Sequence, residues 1–126
     1  MLSKIMLLGI GGFIGSNLRY WISLWAMVTF GNYIPYGTLI VNAIGSFILG
    51  MLTFYGVESI QIDPRVRLLI GTGMMGALTT FSTFSLETFN YLRDSDYSLA
   101  LINIGLNVAV SLCAVWLGFM LAKIIV

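Results

Sequence analysis

Residues 71–87 read GTGMMGALTTFSTFSLE, and this stretch decides how the chain folds. It belongs to a run without charged residues, Leu68 to Leu86, which is long enough to cross about 30 Å of hydrocarbon as a helix. Each of its glycines weakens a helix by about 1 kcal/mol relative to alanine. Its many serine and threonine hydroxyls compete with the helical hydrogen bonds. We therefore predict a membrane-spanning helix that is interrupted between Gly76 and Phe84.

The composition of the whole chain supports a membrane protein. Of its 126 residues, 59% are hydrophobic and 9% are charged, whereas soluble domains carry about 25% charged residues. Histidine is absent and there is one cysteine, Cys113, which excludes histidine-based metal sites and an intrachain disulfide. No nucleotide motif, proton-relay pair or covalent nucleophile is visible. We therefore expect neither an enzyme nor a pump.

Uncharged runs and turn residues predict four spans in a single domain over residues 1–126. The run from Tyr20 to Val57 is too long for one helix, and Gly31, Asn32 and Pro35 divide it. The linkers are short, so consecutive helices run antiparallel. No small-x-small cleavage site closes the first span cleanly, and we expect it to stay in the mature protein. The predicted spans are residues 4–29, 36–56, 67–90 and 98–124.

The basic residues give only a weak preference for one orientation in the membrane. With four spans both termini lie on one side, and that side carries four basic residues against one or two on the other. The positive-inside rule places the termini in the cytoplasm, but such a small bias also allows insertion both ways round. Charge alone leaves a single fixed orientation and a dual one open. The residues concerned are Lys4, Arg65, Arg67 and Lys123 on the terminal side, and Arg93 with Arg19 on the other.

Polar residues recur every fourth position in the second and fourth spans, so each set lies on one helix face. Such residues also hold membrane helices together, and the spacing alone therefore leaves helix packing and pore lining open. In the first span, Gly11-x-x-x-Gly15 allows close approach of a neighbouring helix. Arg19, one turn further, either reaches the interface or draws anions towards a pore. The recurring residues are Asn42, Ser46 and Gly50 in the second span and Asn103, Asn107 and Ser111 in the fourth.

Two phenylalanines directly follow the predicted interruption. Phe81 and Phe84 are three residues apart and share a helix face. Because an aromatic ring has a positive edge, a pair of rings can stabilise a dehydrated anion without binding it tightly. Glu87 continues on the same side and is predicted to cap the polar track. Lipid contact is the alternative for the rings, and a water-facing carboxylate is the alternative for Glu87.

The sequence GALTTFSTF at residues 76–84 closely resembles the signature of the Fluc (CrcB) fluoride channels. The segments GGFIGSNLRY at 11–20 and GTLIVNAIGSFILG at 37–50, together with the four-span length, fit the same family. The resemblance implies an all-α antiparallel homodimer of dual topology with a broken third helix and two fluoride pores. It also implies export of cytoplasmic fluoride through the plasma membrane of a prokaryote, the bacterial inner membrane, as protection against fluoride toxicity.

The resemblance further implies the site residues. A structural Na⁺ at the dimer centre is expected on the backbone carbonyls of Gly76 and Thr79 from both chains. In the fourth span, Asn103, Asn107 and Val115 occupy the positions where many family members carry a tyrosine and hydroxyls, so this helix departs from the family pattern. The implied pore residues are Phe81, Phe84, Asn42, Thr80, Ser82, Thr83, Glu87, Ser111, Asn107 and Arg19.

Two other functions fit a small four-helix membrane protein. A proton-coupled small multidrug transporter has the same size and also inserts both ways round, but it needs a carboxylate deep in the first span, and none is present here. A non-transporting subunit of a larger membrane complex would need only helix-packing motifs such as Gly11-x-x-x-Gly15 and Ser46-x-x-x-Gly50. Ion flux through the purified protein separates the three functions.

Overall fold

The computed structural model describes residues 1–56 and 62–125, and every regular element within them is helical. The first two helices are followed by a third helical segment, which consists of two helices with two extended residues between them. Four helical segments therefore lie at the positions of the four predicted spans. The helices are α1 (Leu2–Phe30), α2 (Tyr36–Phe54), α3 (residues 64–78), α4 (Phe81–Arg93) and α5 (Tyr97–Ile125).

Helix α3 changes its helical type along its length. A first α-helical turn, Pro64–Val66, leads into a π-helical stretch, Arg67–Met75, and α3 ends with an α-helical turn at Gly76–Leu78. Asp63 caps its start, because its side chain accepts the Arg65 N–H at 2.8 Å. The third span, predicted to begin at residue 67, is thus helical from residue 64 onward, and residues 57–61 lie outside the described part of the chain.

Glycines bring two pairs of helices into contact backbone against backbone. On α1, a Cβ at Gly11 or Gly15 would collide with the carbonyl oxygens of Leu69 or Met74 in α3. The close approach predicted for the Gly11-x-x-x-Gly15 motif is therefore confirmed. Helices α2 and α5 pack in the same way, with Gly50 against the backbone of Val115 and Gly118 against that of Phe47.

The buried core is small and the outer surface is apolar. Val41, Met75 and Leu78 form the central cluster, while Leu101 and Trp116 on α5 are 70% and 62% exposed. Within the described residues, α2 and α5 are each long and apolar enough to cross a bilayer. An outer surface of this kind is suited to lipid or to another protein and not to water.

The tight α1–α3 contact gives a first prediction. Replacing Gly15 with alanine puts a Cβ against the Met74 carbonyl, and we expect this overpacking to lower the free energy of unfolding by about 1–3 kcal/mol. Gly9 lies on the same helix with nothing near its Cβ position, so Gly9→Ala is the matched control and should leave stability unchanged or raise it by up to about 1 kcal/mol. Thermal unfolding in detergent measures both. Equal midpoints for the two variants would contradict the contact.

Candidate ion pathway

The polar region of the protein is organised around two extended residues between α3 and α4. Thr79 has φ −79° and ψ 152°, and Thr80 has φ −152° and ψ 119°. The Thr80 hydroxyl caps α4 by accepting the N–H of Thr83 at 3.2 Å. The Thr79 hydroxyl donates back to the Met75 carbonyl at 2.8 Å. The hydroxyl side chains of this stretch therefore bond to nearby backbone, as their sequence suggested.

Asn42 of α2 replaces part of the missing helical hydrogen bonding. Its Oδ1 accepts the Thr80 N–H at 2.9 Å, and its Nδ2 donates to the Thr80 carbonyl at 3.3 Å. The side-chain amide thus pairs with the extended backbone on both its donor and its acceptor side. A backbone that has left the helix at this depth needs such a partner, since lipid supplies none.

The same rearrangement removes the helical donors of two carbonyl groups. In a continuous helix the Gly76 carbonyl would accept the Thr80 N–H, which here donates to Asn42. The Thr79 carbonyl would accept the Thr83 N–H, which here donates to the Thr80 hydroxyl. Nothing lies within 4 Å of the Cβ position at Gly76, so the surface there is open. Carbonyl oxygens without their donors are suitable ligands for a hard cation.

A cavity of about 300 Å³ lies beside the extended residues. The rings of Phe81 and Phe84 stand at its wall, with centroids 5.5 Å apart and planes inclined at 51°. Phe81 is 77% exposed, so one wall of the cavity is open to whatever surrounds this chain. Six of the predicted pore residues meet here. The lining residues are Asn42, Ser46, Leu49, Thr79, Thr80, Phe81, Phe84, Asn107, Val108 and Ser111.

Two further cavities continue the polar region through shared lining residues. One, of about 330 Å³, is lined by Arg19, Thr80 and Thr83 among others, and the next, of about 430 Å³, includes Thr83 and Glu87 in its lining. Thr80 therefore lines both the first and the second cavity, and Ser23, Thr38 and Thr83 line both the second and the third. Ser82 lines none of these three cavities; it is exposed, and its hydroxyl lies 3.3 Å from that of Thr80.

The carboxylate of Glu87 is hydrogen-bonded to a side chain of α2. Its Oε2 accepts the Thr38 hydroxyl at 3.0 Å, and its Oε1 is buried without a hydrogen-bond partner among the described residues. Thr38 was not among the sequence-predicted site residues. Its spacing of four before Asn42 on α2 was the available signal, because residues four apart lie on one helix face. A carboxylate oxygen with unused hydrogen-bonding capacity at a cavity can accept a bond from water.

The amide groups of α5 connect to Asn42 through a continuous series of hydrogen bonds. Asn42 Nδ2 donates to Asn107 Oδ1 at 3.2 Å, and Asn107 Nδ2 donates to Asn103 Oδ1 at 3.1 Å. Asn103 Nδ2 then donates to the Thr88 hydroxyl at 3.0 Å. Thr88 was also absent from the predicted set. Val115 lines none of the three cavities, and its backbone packs against Gly50.

Beyond these groups, the described residues contain no cluster of three or more acidic, cysteine or histidine side chains that could hold a metal ion. The protein consists of helices with an apolar outer surface, and polar cavities lie beside its extended segment. These features define a small helical membrane protein with a candidate ion pathway.

The chain belongs to the CrcB family. Residues 6–119 match the family described as "CrcB-like protein, Camphor Resistance (CrcB)". A relative from Clostridium perfringens is 43% identical over 120 residues, which are 95% of this chain and 94% of the relative. Relatives from Shewanella putrefaciens and Shewanella baltica are 44% identical over 117 residues, 93% of this chain and 94% of theirs. All three relatives bear the name "Fluoride-specific ion channel FluC".

Proposed function

We propose that this protein is a fluoride-selective passive channel that lets cytoplasmic fluoride leave the cell through the plasma membrane. The observation that carries the proposal is the cavity at the extended residues, where the Asn42 amide faces the Phe81–Phe84 pair. The names of its relatives support the same ion. Such a protein is a channel and not an enzyme.

The chemistry of the cavity suits a small, strongly hydrated anion. Fluoride gives up its water only where hydrogen-bond donors replace it, and the pathway offers the hydroxyls of Ser46 and Ser111 in the first cavity and of Thr83 in the second. The ring edges of Phe81 and Phe84 add weak positive potential without a full charge. Weak, repeated binding of this kind allows an ion both to enter and to leave.

We further propose an antiparallel homodimer with two pores. The open wall of the first cavity supports it, because Phe81 is 77% exposed and a pore needs a complete lining. A second copy of this chain in the opposite orientation would complete that lining. The weak bias in the distribution of basic residues allows the chain to insert in both orientations. The bacterial inner membrane is the expected location.

The released carbonyls fit a structural Na⁺ at the centre of that dimer. Gly76 and Thr79 from each chain would supply the oxygens, since their helical donors bond elsewhere. A bound cation there would offset the negative ends of the interrupted helices and join the two chains.

Removal of Na⁺ tests this part of the proposal. We expect purified protein transferred from NaCl to N-methyl-D-glucamine chloride at equal ionic strength to lose stability, by about 2.7 kcal/mol if the starting Na⁺ is a hundred times its Kd. The thermal midpoint and the dimer fraction in detergent report the loss. A midpoint that does not change over the whole Na⁺ titration would contradict the site.

Efflux from liposomes tests the function itself. Protein reconstituted at low density should release trapped fluoride down its gradient, as read by a fluoride electrode, while trapped chloride stays inside. Proton-driven export of an organic cation would instead identify a multidrug-type transporter. Absence of flux for every solute would favour a non-transporting subunit of a larger complex.

A further inference from the structure

The three asparagines between α2 and α5 form a hydrogen-bonded series whose direction is set at both ends by backbone groups. At one end the Thr80 N–H can only donate, so Asn42 must present its Oδ1 there, at 2.9 Å. The two hydrogens of Asn42 Nδ2 then require acceptors, which are the Thr80 carbonyl at 3.3 Å and Asn107 Oδ1 at 3.2 Å. The orientation of the first two amides therefore follows from one backbone hydrogen.

The far end gives the same direction independently. The Phe84 carbonyl can only accept, so the Thr88 hydroxyl donates to it at 2.9 Å and must accept from its other neighbour. Asn103 Nδ2 is that donor, at 3.0 Å, which leaves Asn103 Oδ1 as an acceptor for Asn107. Each amide in the series is thus oriented consistently from both ends.

Asn107 has no amide hydrogen left for a passing ion. Its Nδ2 donates to both the backbone carbonyl and the side-chain Oδ1 of Asn103, at 2.9 and 3.1 Å. Its only remaining polar atom is Oδ1, an acceptor that would repel an anion if the Asn42 amide did not cover it. Asn107 was predicted as a fluoride-binding residue, and its hydrogen bonds favour a different role for it.

We infer that Asn103 and Thr88, acting through Asn107, are positioning residues that hold the Asn42 amide in one orientation on the backbone of Thr80, and so fix the extended residue that lines the anion pathway. The inference deepens the proposed fluoride function and rests on it. Thr88 and Asn103 are 7% and 2% exposed, and neither lines any of the three cavities. They therefore act on the pathway from behind its wall, because they fix which atoms of Asn107 and Asn42 face it.

The test exchanges one hydroxyl at the far end of the series. Thr88→Val keeps the shape of the side chain but removes the hydroxyl, and we expect fluoride efflux to fall about fivefold because one neutral hydrogen bond is lost. Thr88→Ser keeps the hydroxyl and should retain most of the wild-type rate. A rate for Thr88→Val equal to that of the wild type, or an equal loss for Thr88→Ser, overturns the inference.

A double variant separates positioning from general stability. Asn107→Ala cuts the series between Thr88 and Asn42, so adding Thr88→Val to it should change efflux no further. Additive losses in the double variant overturn the inference, because a merely structural role would act in any background. Wild-type protein is measured in parallel: if it conducts no fluoride, the proposed function fails, whereas normal wild-type flux with additive losses means that only the positioning role fails.

Discussion

Replacing Phe84 with isoleucine is expected to lower fluoride efflux about 30-fold. The ring edge at the cavity wall is lost while a side chain of apolar character remains. A desolvated cation over a ring face gains about 2 kcal/mol from the ring quadrupole; we take an anion at the positive ring edge to gain a comparable amount, and its loss at the barrier corresponds to the stated factor. Phe81→Ile removes the second ring of the pair and should have an effect of the same order. Fluoride-electrode efflux from proteoliposomes measures both.

Phe89 provides the matched control for this exchange. It lies on the same helix, is 57% exposed and lines none of the three cavities. Phe89→Ile should therefore conduct at close to the wild-type rate, and all variants should elute from a sizing column with the wild-type volume. Fluoride efflux at the wild-type rate in Phe84→Ile and Phe81→Ile would show that the aromatic pair does not stabilise the ion.

A larger loss is expected when Asn42 is replaced by aspartate. The new side chain has the same shape and still accepts the Thr80 N–H, but it places a negative charge where an anion must pass. Two unit charges about 4 Å apart repel by about 4 kcal/mol at an effective dielectric constant of about 20, which corresponds to about a thousandfold lower flux. Efflux at neutral pH should thus fall to the level of protein-free liposomes.

Asn17 provides the control for the charge change. It is exposed on α1 and its amide bonds only to the Phe13 carbonyl, at 2.7 Å, so Asn17→Asp adds the same charge outside the cavities. That variant should keep its fluoride flux. Equal rates for Asn42→Asp and Asn17→Asp would show that Asn42 does not face the ion.

Much of the pathway could be predicted from sequence because its signals are local. Glycines and hydroxyls inside an uncharged run pointed to an interruption, and the two extended residues, Thr79 and Thr80, lie within that stretch. Spacing by four placed Asn42 and Ser46 on one face of α2, and Asn107 and Ser111 on one face of α5. All four line the cavity beside the extended residues.

The features that sequence did not indicate depend on how helices meet. Thr38 and Glu87 are 49 residues apart in sequence, and Thr88 and Asn103 are fifteen, so their pairing follows from packing and not from periodicity. The donor state of Asn107 is likewise decided by its partners on α5 and α2. The π-helical stretch of α3 had no expected pattern, because one extra residue per turn changes the hydrogen bonding and leaves the composition unchanged.

If this protein conducts fluoride passively and selectively, the reversal potential of its current is set by the fluoride gradient alone. Purified protein in a planar bilayer is given a tenfold fluoride gradient, with chloride, protons and the cation held equal on both sides. We expect the current to reverse at the fluoride equilibrium potential, about 59 mV from zero. A current that reverses at zero under this gradient, or that follows an imposed chloride or proton gradient instead, would contradict passive and selective conduction of fluoride.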